Sequence, residues 1–115
     1  MTAAVLTGGI GLMLAASAAL KLLVIPPIPE QFEKWGLGGW QVVIGLGELA
    51  SVALFVAPRT VEAGTLLLSA YLGGAIVTHM QHGEPFVIPT VFLVAVWAAA
   101  ALRLPGLSER LRGGP

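Results

Sequence analysis

The sequence predicts an all-α integral membrane protein, folded as an up-down four-helix bundle. Three observations favour this class. Hydrophobic residues make up 57% of the 115 positions and charged residues 10%, whereas a soluble domain carries about 25% charged residues. Four apolar runs alternate with short segments that contain proline, glycine and charge, and each run approaches the roughly 20 residues that a helix needs to cross a bilayer. Short turns between consecutive helices favour antiparallel neighbours.

The N-terminal half supplies two of the predicted spans. The first covers about residues 3–25; it lacks the basic segment of a secretory signal and is too long for one, so we expect it to be retained. Prolines end this helix, and residues 28–35 are expected to form a short helix at the membrane interface. The second span covers about residues 40–57 and contains Glu48 near its middle.

The C-terminal half supplies the other two spans. A tight turn leads into the third, about residues 61–79, whose first turn Thr60 is expected to cap. The fourth, about residues 86–104, has prolines at its start, where a missing N–H does least harm. Residues 1–104 are therefore predicted to form one transmembrane bundle, and residues 105–115 a basic cytoplasmic tail.

The distribution of arginine and lysine predicts the orientation. Four spans place both termini on one side, together with Arg59, Arg103, Arg110 and Arg112, while Lys34 lies on the other. Positively charged residues are retained on the cytoplasmic side of a membrane. We therefore expect the N- and C-termini to be cytoplasmic and the protein to be a multi-pass protein of the cell membrane.

Composition excludes several classes of function. Six basic and six acidic residues cancel, and no basic cluster is present, which argues against nucleic-acid binding. The absence of cysteine excludes disulfides, thiol redox motifs and thiolate-held iron–sulfur clusters. His79 and His82 lie three residues apart at a predicted helix end, a poor arrangement for haem or metal. No metal and no intrinsic cofactor are predicted.

Glu48 is the central feature of the sequence. A charged side chain at its depth costs at least about 2.5 kcal/mol, so it must be protonated, paired or beside a cavity. The rise of the helices brings Lys21 within side-chain reach of it. We expect the two residues to form the polar centre of a pocket in the outward half of the bundle. Two alternatives are a purely structural ion pair and a Lys21 that extends to the interface.

Other polar residues are expected in the same half of the bundle because they fall on two helical stripes or in the loop after the third span. Glu48, His79 and Lys21 are the candidate catalytic residues. The candidate ligand-binding residues are Gln41, Tyr71, Thr78, His82 and Glu84. Packing, interfacial placement and helix capping are the alternative roles for these side chains.

Four segments resemble the DoxX-like family of small bacterial membrane proteins. They are residues 19–22, 44–50, 58–60 and 71–79. The resemblance extends over nearly the whole chain and implies a four-span protein of the bacterial inner membrane. It also implies that Lys21, Glu48 and His79 occupy the recurrent polar positions of the family, whose members include subunits of quinone-linked membrane oxidoreductases. The loop residues His82 to Glu84 are an addition to the family pattern.

Three hypotheses of function follow. In the first, an outward-half polar pocket binds a small lipophilic ligand such as a quinone, and the chain is a subunit or accessory of a membrane redox system. Membrane lipid, a larger redox subunit and a second copy of the chain are the expected partners. The second is a membrane-embedded acid–base enzyme, an isomerase, cyclase or epoxide hydrolase, with a hydrophobic substrate. The third is a purely structural membrane subunit.

Overall fold

A computed structural model describes residues 1–113, which form six helices and no strand. In chain order the helices are α1 (Thr2–Leu22), α2 (Ile28–Lys34), α3 (Gln41–Val56), α4 (Val61–Gln81), α5 (Val87–Arg103) and α6 (Leu107–Leu111). The predicted all-α class is confirmed. The four long helices lie where the four apolar runs are, and α2 lies where the interfacial helix is predicted.

The four long helices pack in a ring. Each of α1, α3 and α4 lies against the next long helix in the chain, and α5 returns to α1. This arrangement is a four-helix bundle, drawn out to 46 Å along its longest axis. The residues of its apolar core come from all four helices; they are Ile10, Leu14, Val52, Phe55, Leu68, Leu72, Val96 and Ala99.

The outside of the bundle is also apolar. Large side chains such as Leu12, Val43, Leu67 and Val94 are exposed on the four long helices. Helices that are apolar on every face are those of a deeply buried core or of a membrane. Two of the helices, α1 and α4, are long and apolar enough to cross a membrane, and α3 and α5 are shorter apolar helices.

Close approach of α3 and α4 depends on Gly64. A Cβ atom at this position would overlap the backbone of Phe55, so a residue without a side chain is required there. Small residues at such crossings let helix backbones approach closely. The contact fixes the distance between the two helices that carry the central carboxylate and the histidines.

Side chains donate hydrogen bonds to the free backbone carbonyls at the turn between α3 and α4. The guanidinium of Arg103 donates hydrogen bonds to the backbone carbonyls of Phe55 and Val56, which the end of α3 leaves without partners. Thr60 lies at the predicted cap position of α4, but its hydroxyl makes no cap bond. It instead donates to the carbonyl of Leu54 at 2.7 Å. The predicted capping by Thr60 is therefore wrong.

The predicted tail contains one element that the sequence does not reveal. Gly106, in a left-handed conformation with a φ of 83°, precedes the five-residue helix α6. Glycine adopts this conformation without steric cost, which lets the chain turn after α5. The last two residues of the predicted tail, 114 and 115, lie outside the described residues.

Candidate functional site

A cavity of about 580 Å³ lies inside one half of the bundle. Its walls come from α1, α3, α4 and the start of α5, and α2 covers one side. Most of the lining side chains are apolar or aromatic; they include Met13, Leu14, Ile28, Phe32, Ile44, Leu72, Ile88, Pro89 and Phe92. Sites for small molecules commonly have this volume and combine an apolar lining with a few polar groups.

A buried ion pair forms the polar part of this cavity. The Nζ atom of Lys21 lies 2.9 Å from Oε1 of Glu48, and both residues line the cavity. The side chain of Glu48 is 0% exposed and that of Lys21 is 11% exposed. Lys21 also donates to the Ser17 hydroxyl at 2.7 Å. A buried charge persists when it is paired and hydrogen-bonded in this way, so the predicted pairing of Lys21 with Glu48 is a feature of the structure.

Two residues of α3, Gly45 and Gln41, contact α1 at Lys21. A Cβ atom on Gly45 would lie 3.0 Å from the Cβ of Lys21, so the lack of a side chain permits the contact. Gln41 donates from Nε2 to the backbone carbonyl of Lys21 at 2.8 Å and does not line the cavity. Gln41 therefore holds the backbone at Lys21, whereas the sequence predicts that Gln41 contacts a ligand.

The second oxygen of Glu48 is unpaired. Oε2 is buried and accepts no well-formed hydrogen bond from residues 1–113, although the Tyr71 hydroxyl lies beside the same carboxylate. The Lys21 ammonium is on Oε1 alone. An unsatisfied buried carboxylate oxygen costs roughly 1–3 kcal/mol or more, since it has lost its water without replacement. Glu48 borders the cavity, but its side chain is fully buried, so this oxygen is covered by its neighbours.

His79 is held in one tautomer by its own helix. Its Nδ1 lies 2.7 Å from the carbonyl oxygen of Ala75, and because a carbonyl only accepts, Nδ1 carries the proton and donates. In the neutral ring, Nε2 then bears a lone pair. The ring of Trp35 lies 5.2 Å from that of His79, centroid to centroid, and both side chains line the cavity.

Glu84 connects the loop between α4 and α5 to the end of α2. Its carboxylate accepts from Lys34 Nζ at 2.8 Å and from Trp35 Nε1 at 2.9 Å. The Lys34 ammonium and then the Trp35 indole N–H hold the pKa of Glu84 below its usual range. Glu84 is not part of the cavity wall. It fastens the covering helix, so its placement differs from the predicted contact with a ligand.

The remaining predicted residues divide into two groups. Tyr71 and Thr78 line the cavity, and the Tyr71 ring centroid lies 5.8 Å from the Lys21 ammonium, within cation–π range. His82 lies outside the cavity wall, and its Nδ1 donates to the carbonyl of Thr78 at 2.8 Å. The chain reverses at Gly83, whose φ is 66°, so His82 stays at the end of α4.

Sequence reasoning assigned no ligand contact to several residues of the cavity wall. Ser17, Gln31, Phe32 and Trp35 all line it. Ser17 precedes Lys21 by four positions, and side chains at this spacing share a helix face, which is a signal that could have identified it. The other three belong to the interfacial segment, and nothing local to that segment shows that it folds over the bundle.

The polar groups of the cavity suit an organic molecule with hydrogen-bonding groups. Across residues 1–113, no three His, Cys, Asp or Glu side chains lie close enough together to hold a metal ion. The cavity wall instead contains the carboxylate of Glu48, an imidazole nitrogen on His79 and a hydroxyl on Tyr71. These groups can bind and orient oxygen substituents, and they can hold protons.

The fold and the site together define a class of protein: a four-helix bundle in which a buried lysine–glutamate pair borders an apolar cavity. Residues 5–101 match the DoxX-like family. The chain belongs to this family, and its membership indicates a membrane protein. No curated protein and no solved structure matches the chain.

Proposed function

We propose that this chain is a four-span protein of the bacterial inner membrane whose cavity binds a small lipophilic molecule, of the quinone class, for a membrane redox system. The observation that carries the proposal is the Lys21–Glu48 pair, buried beside an apolar cavity with one carboxylate oxygen unused. In this assignment both termini are cytoplasmic, because the arginines outside the spans lie on the terminal side.

A lipid environment explains two features of the bundle. Exposed apolar side chains cover the outside of the long helices, and the cavity inside them is also mostly apolar. A molecule that reaches such a cavity from the membrane must itself be lipophilic. Its polar part must be small, because most of the wall is apolar; the polar side chains that line it include Ser17, Lys21, Gln31, Glu48, Tyr71, Thr78 and His79.

The cost of the ion pair supports a functional role over a structural one. A buried pair is often no more stabilising than well-packed apolar residues of the same volume. Ionisable residues inside membrane segments usually mark a functional site, because burying them in the membrane costs free energy. Here the pair also leaves Glu48 Oε2 without a partner, which a pair that served only to join helices would not require.

A role as a subunit or accessory follows from what the chain lacks. It contains no cysteine, so it has no thiolate to carry electrons or to hold an iron–sulfur cluster. The redox chemistry would then belong to the ligand and to a partner protein, while this chain holds and orients the ligand. The exposed apolar faces of the bundle offer the surface on which a larger subunit or a second copy docks.

A membrane-embedded acid–base enzyme is the second candidate. The observation that favours it is His79, whose Nδ1 is bonded to Ala75 so that Nε2 is left to accept a proton. A carboxylate and an imidazole on one apolar cavity are the groups that isomerases, cyclases and epoxide hydrolases need. In that case, the cavity would bind a hydrophobic substrate and release a changed product.

The test is a comparison of Glu48→Gln with wild type in a strain that lacks the gene. Quinone-dependent respiration of its membranes should be restored by the wild type and reduced at least about tenfold with the variant, since a charge-assisted hydrogen bond is lost. Glu62→Gln is the matched control, because Glu62 is exposed at the start of α4. Solvent extraction of the purified proteins should recover a quinone from the wild type and from Glu62→Gln.

The outcomes separate the candidates. Full respiration with Glu48→Gln, at normal membrane levels, would contradict the proposal and favour the structural role. Normal respiration without the gene, combined with turnover of a hydrophobic substrate that requires Glu48 and His79, would favour the acid–base enzyme.

A further inference from the structure

We propose that Gln31 binds the polar end of the ligand from the covering helix, and that a ligand with an oxygen substituent thereby fastens α2 over the cavity. The inference rests on the proposed function and adds to it a contact residue that sets which ligands are bound. It follows from the face that α2 presents to the cavity and from the one polar side chain on that face.

Helix α2 lies over the cavity with a single face. The residues of α2 and its C-terminal cap that line the cavity are Ile28, Gln31, Phe32 and Trp35. Their spacing of three and four positions places them side by side on a helix. The charged side chains of α2 are exposed and do not line the cavity. Gln31 is therefore a polar residue in a face that is otherwise apolar and aromatic.

The amide of Gln31 has no partner in the bundle. The side-chain hydrogen bonds that fasten α2 come from Lys34 and Trp35, and both go to Glu84; within residues 1–113 the Gln31 amide forms none. Gln31 is half-buried, and its neighbour Phe32 is only 3% exposed. A polar group that is withdrawn from water onto an apolar surface costs free energy unless it is hydrogen-bonded. A ligand in the cavity can supply that bond.

The chemistry of the amide indicates what it binds. A glutamine side chain has two N–H donors and one carbonyl acceptor, so it bonds to carbonyl and hydroxyl oxygens alike. Lys21 adds a donor on α1, because only two of its three N–H groups are directed at Ser17 and Glu48. Donors are thus present both on the cover and on the bundle. A head with oxygen substituents on more than one edge, as in the quinone class, suits this distribution.

A bond to Gln31 connects the ligand to the movable part of the site. The other attachments of α2 here are the contact of Trp35 with His79 and the bonds to Glu84. A ligand that binds the covered form better than the uncovered form shifts the population toward the covered one. Occupancy of the cavity should therefore hold α2 in place.

The test compares wild type with Gln31→Met, in the full chain in lipid nanodiscs. Methionine has a similar length and helix propensity but an apolar side chain. Decylubiquinone is the probe, and quenching of tryptophan fluorescence reports binding because Trp35 lines the cavity. We expect its Kd to rise about three- to tenfold in the variant, the effect of one hydrogen bond. Gln81→Met is the matched control, because Gln81 is exposed at the end of α4 and outside the cavity wall.

Two further measurements separate a direct contact from a structural role. Without ligand, the amides of residues 28–34 should exchange with deuterium equally fast in wild type and Gln31→Met. At about ten times the Kd of each protein, decylubiquinone should slow this exchange about three- to tenfold in wild type and less than twofold in the variant. The carbonyl stretching band of bound, isotope-labelled decylubiquinone should lie at a lower wavenumber in wild type, because a hydrogen bond weakens the C=O bond.

The results distinguish this inference from the proposed function. Equal Kd values and the same carbonyl band in wild type and Gln31→Met would overturn the inference and leave the proposed function standing. Equal protection of α2 by the ligand in both proteins would also overturn it, as would faster exchange of the free variant. Failure of the wild type to bind decylubiquinone would overturn both.

Discussion

The rings of Trp35 and His79 lie 5.2 Å apart, centroid to centroid, and are tilted by 56°. This contact joins the end of α2 to the last turn of α4 beside the cavity, and Phe32 extends it at 5.3 Å from Trp35. The indole N–H of Trp35 also donates to Glu84. The helix that covers the cavity is thus held by aromatic packing and by one carboxylate from the opposite loop.

Removal of the Glu84 charge should loosen the cover. In Glu84→Gln, the bond from Trp35 can persist, but the attraction to Lys34 is lost. Amides of residues 28–34 should exchange about two- to fivefold faster, the size of effect typical of an exposed ion pair. Hydrogen–deuterium exchange with mass spectrometry measures this, and Glu30→Gln is the control. Unchanged exchange in Glu84→Gln would mean that aromatic packing alone fastens α2.

Acid should release the same contact. Because Lys34 and Trp35 lower the pKa of Glu84, the contact is fully present above the ordinary glutamate pKa of about 4.3. It is lost as the pH falls through the lower native value. The fluorine resonance of 5-fluorotryptophan at position 35 should therefore shift with a midpoint below about pH 4.3. Glu84→Gln should lack this step; a step retained there would assign it to another group.

The Lys21–Glu48 pair should show strong coupling in a double-mutant cycle. Lys21→Met leaves a fully buried carboxylate without its cation, and loss of one partner of a buried pair costs about 3–5 kcal/mol. Glu48→Gln in the same chain removes the unpaired charge, so the double variant should be more stable than Lys21→Met alone. Reversible unfolding in detergent measures the four proteins. Additive costs of the two substitutions would refute the coupling.

A methyl group at position 45 should separate α1 from α3, and one at position 47 should not. A Cβ on Gly45 would lie 3.0 Å from the Cβ of Lys21, whereas one on Gly47 meets no atom within 4 Å. Overpacking costs about 1–3 kcal/mol, and alanine gains up to about 1 kcal/mol over glycine in a helix. Gly45→Ala should therefore be less stable than Gly47→Ala by at least about 1 kcal/mol in the same unfolding experiment. Equal stabilities would show that α1 shifts freely.

Cysteine labelling can establish the orientation, because the chain has no cysteine of its own. We expect a membrane-impermeant maleimide to label Gln81→Cys in intact cells. It should label Ser108→Cys only after the cells are permeabilised, since the terminal side carries the arginines. Both positions are exposed, so accessibility within the protein does not limit the reaction. The reverse pattern would place the termini outside.

Much of the fold follows from local properties of the sequence. Long apolar runs form helices in apolar surroundings, and prolines and glycines end them, so the sequence predicts the four long helices and α2 to within a few residues. The proximity of Lys21 to Glu48 also follows from the sequence, because helix rise alone places them at similar depths. The short helix α6 was missed, since five residues carry too little periodicity to indicate a helix.

Sequence alone determined the class of the protein, its four long helices and the buried acid that needs a partner. The tertiary structure decided which side chains surround the cavity: Gln41 turns to the backbone of Lys21, and Glu84 binds Trp35 across 49 positions of the chain. The physical reason is that these helices are apolar on nearly every face. The hydrophobic pattern therefore does not determine how each helix is rotated about its axis. It also does not predict that α2 folds back over the bundle. Packing against the neighbouring helices sets both.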